Sequence, residues 1–101
     1  MNSKILSLLG FATKAGKLSF GYEACVSTLK ANKAKLIVVA EDISEKSFKE
    51  ITFFALKADV KYIRTEGISI KAISDAVGRK CGIIAVNDKG FADALLKANL
   101  G

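Results

Sequence analysis

Five segments of the chain carry hydrophobic side chains at the three- and four-residue spacing of an amphipathic helix. In the first segment, one helix face is formed by Ile5, Leu8, Leu9 and Ala12. Gly16 follows this segment and is expected to end the helix. The same spacing predicts helices over residues 3–15, 22–31, 45–58, 69–77 and 89–98.

Polar residues and glycines at the ends of these segments support the predicted boundaries. Ser44 and Asp88 each precede a helical segment, where a side-chain oxygen can accept a hydrogen bond from a free backbone N–H group. Gly78 follows the fourth segment, a position where glycine tolerates the left-handed backbone that ends many helices.

Four shorter segments predict strands. Residues 36–40 and 82–86 are apolar runs typical of strands buried on both faces, residues 60–63 alternate, and residues 17–20 form a short extended piece. Because strands that alternate with helices need crossover connections, we predict an α/β fold. The expected architecture is a three-layer α/β/α sandwich with a mixed, partly parallel four-stranded sheet. No linker divides the chain, so residues 1–101 are expected to form one domain.

The composition is typical of a small globular protein of the cytoplasm. Half of the 101 residues are hydrophobic, and the chain contains neither Pro nor Trp. No apolar run approaches the roughly 20 residues that a membrane span requires. We therefore expect a cytoplasmic protein without a membrane partner.

The available side-chain chemistry is restricted because the chain has no His and only two Cys. Triads based on His and the usual zinc sites are therefore excluded. We expect Cys25 and Cys81 to be small buried side chains, with a disulfide between them as the alternative.

Glu41 and Asp42 follow the central predicted strand and, together with Asp88, are the best candidates for a catalytic or Mg²⁺ site. Acids in loops that precede helices are more often caps and dipole partners. We therefore predict that the protein is not an enzyme and has no catalytic residue, cofactor or metal.

Positive charge is concentrated near the beginning of the chain. The whole chain has 16 Lys and Arg against 10 Asp and Glu, a formal net charge of +6. A polyanion such as RNA is the natural partner of such a patch, and lysines that only maintain solubility are the alternative. The first 35 residues contain one acid, Glu23, and six lysines: Lys4, Lys14, Lys17, Lys30, Lys33 and Lys35.

A candidate binding surface combines the second predicted helix with a basic loop. Gly21 opens this helix, where free N–H groups and the positive end of the helix dipole favour a phosphate. Glu23, Ser27 and Lys30 share one polar face of the helix. We expect the loop before the last strand, residues 79–82, to lie near the start of this helix.

Three strings carry a resemblance that covers essentially the whole chain: ILSLLGFATKAGK at residues 5–17, GYEACVSTLKANKAKLIVVAED at residues 21–42 and DKGFA at residues 88–92. In these strings the chain resembles the kink-turn RNA-binding ribosomal protein family, which includes archaeal protein L seven Ae and eukaryotic protein L thirty e. Within this family it is most similar to small bacterial paralogues of the YlxQ type.

This resemblance implies an α/β/α sandwich that binds a kinked RNA internal loop and has no catalytic activity. In RNA-binding members, the key helix opens with Gly, any residue, Asn, Glu, two more residues and then Lys. The matching positions here are Gly21, Glu23, Ala24 and Ser27, of which only the glycine is kept. Because the Asn, Glu and Lys side chains are replaced, we expect altered or relaxed specificity.

The expected partner is structured RNA, in particular ribosomal RNA or a ribosome-associated RNA. Lys14 and Lys17 are expected to be auxiliary phosphate contacts. A protein-interaction module that has lost kink-turn recognition is the alternative. The candidate RNA-binding residues are Gly21, Glu23, Ser27, Lys30, Lys33, Arg79, Lys80, Cys81, Lys14 and Lys17.

Overall fold

Helices and strands alternate along the chain in the order that the hydrophobic pattern predicts. The computed structural model describes residues 3–100, so Met1, Asn2 and Gly101 of the predicted domain lie outside the described residues. The helices are α1 (Ser3–Lys14), α2 (Tyr22–Lys30), α3 (Glu45–Lys57), α4 (Ile70–Val77) and α5 (Lys89–Leu100). The strands are β1 (Leu18–Phe20), β2 (Leu36–Val39), β3 (Lys61–Arg64) and β4 (Ile83–Val86).

The four strands form one mixed sheet in the spatial order β1-β4-β2-β3. β2 and β3 are parallel, whereas β4 pairs antiparallel with both β1 and β2. Consequently β1, β2 and β3 run in one direction and β4 runs in the other. We call the edge where β1, β2 and β3 end the carboxyl edge, and the edge where they begin the amino edge.

Two hydrophobic clusters cover the two faces of the sheet. Alternate residues of β2 point to opposite faces, so Leu36 and Val38 join one cluster while Ile37 and Val39 join the other. Helices α1, α4 and α5 pack in the first cluster, and α2 and α3 pack in the second. The predicted α/β/α sandwich is therefore confirmed.

The predicted caps are present. Ser44 Oγ accepts a hydrogen bond from Ser47 N at 3.1 Å, and Asp88 Oδ2 accepts one from Phe91 N at 2.9 Å. Gly78 ends α4 in the left-handed conformation, with φ of 78°. The ends of the strands differ from prediction by one residue, since β1 begins at Leu18, β2 ends at Val39, β3 is Lys61–Arg64 and β4 begins at Ile83.

Within residues 3–100, none of the helices is both long enough and apolar enough to cross a membrane.

Gly82, which directly precedes β4, packs closely against Ile70 at the start of α4. A Cβ atom on Gly82 would lie 2.9 Å from Ile70 Cγ1, so Gly82→Ala must displace that side chain. We expect the substitution to lower the free energy of unfolding by about 1–3 kcal/mol, measured by urea denaturation.

The matched test repeats Gly82→Ala in an Ile70→Ala background, where the opposing Cγ1 atom is absent. The cost of Gly82→Ala should then fall by at least ~0.5 kcal/mol. If Gly82→Ala lowers the free energy of unfolding equally in the wild type and in Ile70→Ala, the contact with Ile70 is not the cause.

Candidate nucleic-acid interface

The start of α2 is held against the start of β4 at the carboxyl edge. Gly21 N donates a hydrogen bond of 2.9 Å to Ile83 O, and Phe20 pairs with Ile84 in the adjacent register. Gly21 has φ of 89°, a conformation that disfavours side chains, although a Cβ there would meet no atom within 4 Å. The glycine is therefore required by the backbone, and the space beside it is open.

The basic loop of residues 79–82 lies beside this start of α2, as the sequence predicts. The Arg79 guanidinium carbon is 4.7 Å from the centre of the Phe20 ring, a cation–π contact with the strand that leads into α2. Lys80 is exposed next to it. Arg79 and Lys80 thus lie at the same edge of the sheet as the start of α2, and Arg79 stacks on the sheet face that is covered by α1, α4 and α5.

Cys81 has a different place from the one expected of an RNA contact. It is only 8% exposed and packs in the cluster with α1, α4 and α5. Its backbone N donates to Ser74 Oγ at 3.1 Å, and its carbonyl accepts from the same hydroxyl at 3.2 Å. The backbone of Cys81 therefore anchors the loop to α4, and its buried side chain does not present a binding group at the surface.

The polar face of α2 lies along a groove shared with α3. Glu23, Ser27 and Lys30 are exposed, and the groove between the helices is lined by Val26 and Phe54. Lys30 Nζ lies 5.4 Å from the centre of the Phe54 ring. Because a helix rises about 1.5 Å per residue, Lys30 is roughly 13 Å along the axis from Gly21.

The remaining predicted lysines do not join Gly21. Asn87 N donates to Lys17 O at 2.8 Å, which places Lys17 at the amino edge. Lys14 ends α1 shortly before Lys17, and Lys33 precedes β2 at the same edge. The ten predicted residues therefore divide between two ends of the sheet. Two further lysines lie at the amino edge, Lys35 and Lys61, which are outside the predicted set although each is within one residue of the start of a predicted strand.

The acidic candidates are engaged in holding loops. Glu41 Oε2 accepts from Gly67 N at 2.6 Å, and Asp42 Oδ1 accepts from Ile70 N at the start of α4 at 2.7 Å. The expectation that Asp88 joins them is wrong, because β4 is antiparallel and ends at the amino edge. In residues 3–100, no group of three or more His, Cys, Asp or Glu side chains is arranged to hold a metal ion.

Charge at the carboxyl edge is mixed. Glu45 pairs with Arg64 at 3.2 Å, and the Arg64 guanidinium also stacks 4.4 Å from the centre of the Phe48 ring. Sequence reasoning missed this arginine, because nothing in a strand-ending Arg indicates that it stacks on a neighbouring helix. The charged side chains at this edge include the cations Arg64, Arg79, Lys80, Lys46 and Lys71 and the acids Glu23, Glu41, Asp42, Glu45 and Glu66.

Both cysteines are free thiols in poorly reactive surroundings. Burial raises the pKa of the Cys25 thiol from 9.0 to about 12, with a smaller contribution from the charge of a Cys81 thiolate. Burial also raises the pKa of Cys81, an effect that Arg79 partly offsets. Both thiols therefore remain protonated at neutral pH, which confirms the expectation of small buried side chains.

Native Cys25 should react with iodoacetamide at pH 8.5 at least ~100-fold more slowly than in guanidinium, because the thiol is buried and protonated. The pKa of Cys25 is higher in the folded protein than in the unfolded chain. This thiol therefore leaves the free energy of unfolding unchanged below pH 9 and lowers it as the pH rises toward 12. This fall should be shallower for Cys25→Ala, as measured by urea denaturation at several pH values. Equal alkylation rates in native and unfolded protein would contradict this assignment.

Comparison with known proteins identifies a family and several relatives. Residues 3–96 match the family described as ribosomal protein L7Ae/L30e/S12e/Gadd45. RNA-binding protein YlxQ of Enterococcus faecium is 32% identical over 89 residues, covering 88% of this chain and 84% of that protein. Large ribosomal subunit protein eL30 of Candida glabrata is 28% identical over 89 residues, covering 86% and 84%. These matches confirm the resemblance found in the sequence.

Two solved structures share the fold. A protein of unknown function from Bacillus halodurans superimposes with a TM-score of 0.90 at 23% identity, covering 97% of this chain and 98% of that one. A 15.5 kD RNA-binding protein of Giardia lamblia superimposes with a TM-score of 0.79 at 13% identity, covering 95% and 82%. At these identities the likeness concerns the fold alone.

Proposed function

The chain belongs to the ribosomal protein L7Ae/L30e/S12e/Gadd45 family, and from this membership we propose that it binds structured RNA at the carboxyl edge of its sheet. The binding surface comprises the start of α2 at Gly21 and the loop of residues 79–82. Its relatives are named as RNA-binding and ribosomal proteins, which are not enzymes. The prediction that this chain is not an enzyme is confirmed on that basis.

The observation that carries the proposal is the hydrogen bond between Gly21 N and Ile83 O. It brings the open helix start and the Arg79-Lys80 loop to the same edge of the sheet, where an extended phosphate backbone can contact both. Anions bind favourably at the start of a helix. For a protein with a ribosomal-protein-like fold, the proposed anions are the phosphates of RNA.

The proposed specificity is altered relative to the kink-turn readers that this chain resembles. Glu23 offers only acceptor oxygens where those readers carry an amide, and Ala24 and Ser27 lack the carboxylate and the ammonium group. Contacts to the RNA backbone therefore outweigh contacts to the bases. The proposed partner is ribosomal or ribosome-associated RNA, met in the cytoplasm.

A binding titration tests the proposal with a kink-turn RNA and a duplex of equal length, each followed by fluorescence anisotropy. Lys80→Glu should weaken binding of the kink-turn RNA by about 10-fold or more, because it reverses a charge at a phosphate contact. Lys97→Glu is the matched control, since this exposed lysine lies on α5, across the sheet from α2. Equal losses in the two variants would contradict a localised site.

Restoring the lost side chains tests the altered specificity. The triple variant Glu23→Asn, Ala24→Glu, Ser27→Lys changes three exposed positions of α2. It should raise the preference for kink-turn RNA over duplex by about 10-fold or more, because each well-placed base contact contributes ~1–3 kcal/mol of discrimination.

Glu50→Gln makes the same net change of charge on α3 and serves as the control. An unchanged preference in the triple variant would mean that α2 does not enter the RNA groove. If neither RNA binds the wild type at low salt, the protein-interaction alternative replaces RNA binding.

A further inference from the structure

Four lysines lie at the amino edge of the sheet, opposite the surface proposed above. Lys17 precedes β1, Lys33 and Lys35 precede β2, and Lys61 is the first residue of β3. All four side chains are exposed. We call these four residues the lysine row.

Backbone pairing fixes the order of the lysine row. Lys17 O accepts from Asn87 N at 2.8 Å, and Lys35 N donates to Val86 O at 2.7 Å, so both lysines flank the end of β4. Lys61 pairs with Leu36, directly after Lys35. Because strands are spaced about 4.8 Å apart, the four strands place these lysines along an edge of roughly 14 Å.

The lysine row is not accounted for by helix dipoles or by ion pairs. Lys14, Lys30 and Lys57 also lie toward this edge, but each occupies the last turn of a helix, where a cation compensates the dipole. Lys89 is paired with Asp93 at 2.8 Å. None of the four row lysines forms a salt bridge with the part of the chain between residues 3 and 100.

We infer that the lysine row is a second RNA-binding surface, which binds backbone phosphates of a duplex segment independently of the start of α2. This inference rests on the proposed function, because RNA is taken as the polyanion. A lysine side chain is a flexible point charge that can bind a phosphate without contacting the bases. The row would therefore supply affinity and no sequence preference.

Composition favours RNA over an acidic protein at this surface. Lysine is depleted at protein–protein interfaces, whereas aromatic side chains, Met and Arg are enriched there. The large hydrophobic side chains that residues 3–100 leave exposed are Phe11, Phe53, Leu56, Tyr62 and Leu100, none of them in the row. Four cations that form no salt bridge match a phosphate backbone, and Tyr62, which follows Lys61 in β3, is the exposed large hydrophobic side chain that is adjacent to the row in sequence.

The test compares two variants that each lose four positive charges. The row variant is Lys17→Gln, Lys33→Gln, Lys35→Gln, Lys61→Gln. The dispersed variant is Lys4→Gln, Lys46→Gln, Lys49→Gln, Lys97→Gln, which replaces exposed lysines elsewhere. Binding of a 20-base-pair RNA duplex and of a kink-turn RNA is measured between 50 and 200 mM salt.

If the four row lysines each contact a phosphate, raising the salt concentration from about 50 to about 200 mM should lower the affinity of the wild type for the duplex by about 100-fold. The row variant should lose most of that salt dependence, while the dispersed variant keeps most of it. Equal behaviour of the two variants, or an unchanged row variant, would overturn the inference.

The same data separate this inference from the proposed function. Loss of duplex affinity in the row variant with an unchanged response to Lys80→Glu supports two independent surfaces. If the row variant loses duplex affinity and Lys80→Glu has no effect on RNA binding, the proposed site at the carboxyl edge is contradicted and the lysine row is supported. Absence of RNA binding in the wild type at 50 mM salt would overturn both.

Protection from acetylation provides a second readout that needs no variant. With duplex RNA bound to the wild type, the row lysines should acetylate at least ~5-fold more slowly, whereas Lys97 should not change. Protection of Lys97 equal to that of the row, or protection by an acidic polypeptide and not by RNA, would overturn the inference.

Discussion

The direction of β4 is the constraint on which both candidate surfaces depend. This strand runs antiparallel between β1 and β2, so its beginning meets the carboxyl edge and its end meets the amino edge. Hydrogen bonds fix both positions, from Gly21 N to Ile83 O and from Lys35 N to Val86 O. If β4 ran parallel to its neighbours, the Arg79-Lys80 loop would lie away from the start of α2.

The orientation of the helices explains how charge is distributed over the molecule. Helices α2 and α3 begin at the carboxyl edge, where Glu23 and Glu45 occupy their first turns and interact with the positive ends of the dipoles. Three helices carry a lysine in their last turn toward the opposite edge. The excess of lysine at the amino edge thus follows in part from co-oriented helices, and the lysine row adds to it beyond what the dipoles require.

Much of the fold could be predicted because local chemistry determines it. Periodic apolar positions and the caps at Ser44, Asp88 and Gly78 identify helices from neighbouring residues alone. The direction of β4 has no local signal. For that reason Asp88 was grouped with Glu41 and Asp42, although it lies at the other edge.

The candidate site was predicted less completely for the same reason. The start of α2 and its basic loop were correctly brought together, and the lysines before β1 and β2 were placed with them although they lie at the amino edge. The backbone of Cys81 is bonded to Ser74 of α4, and the Arg64 guanidinium stacks on Phe48 of α3. The spacing of hydrophobic and polar residues around one of these side chains does not indicate a contact with a segment that is distant in the sequence.

The central claim is that the two edges of the sheet bind RNA separately, and an NMR titration of the labelled protein tests it most directly. Kink-turn RNA is predicted to shift the amide signals of residues 21–23 and 79–82. A plain duplex is predicted to shift those of Lys17, residues 33–35 and Lys61. Shifts confined to the outer faces of α1 and α5 with both RNAs would contradict the account.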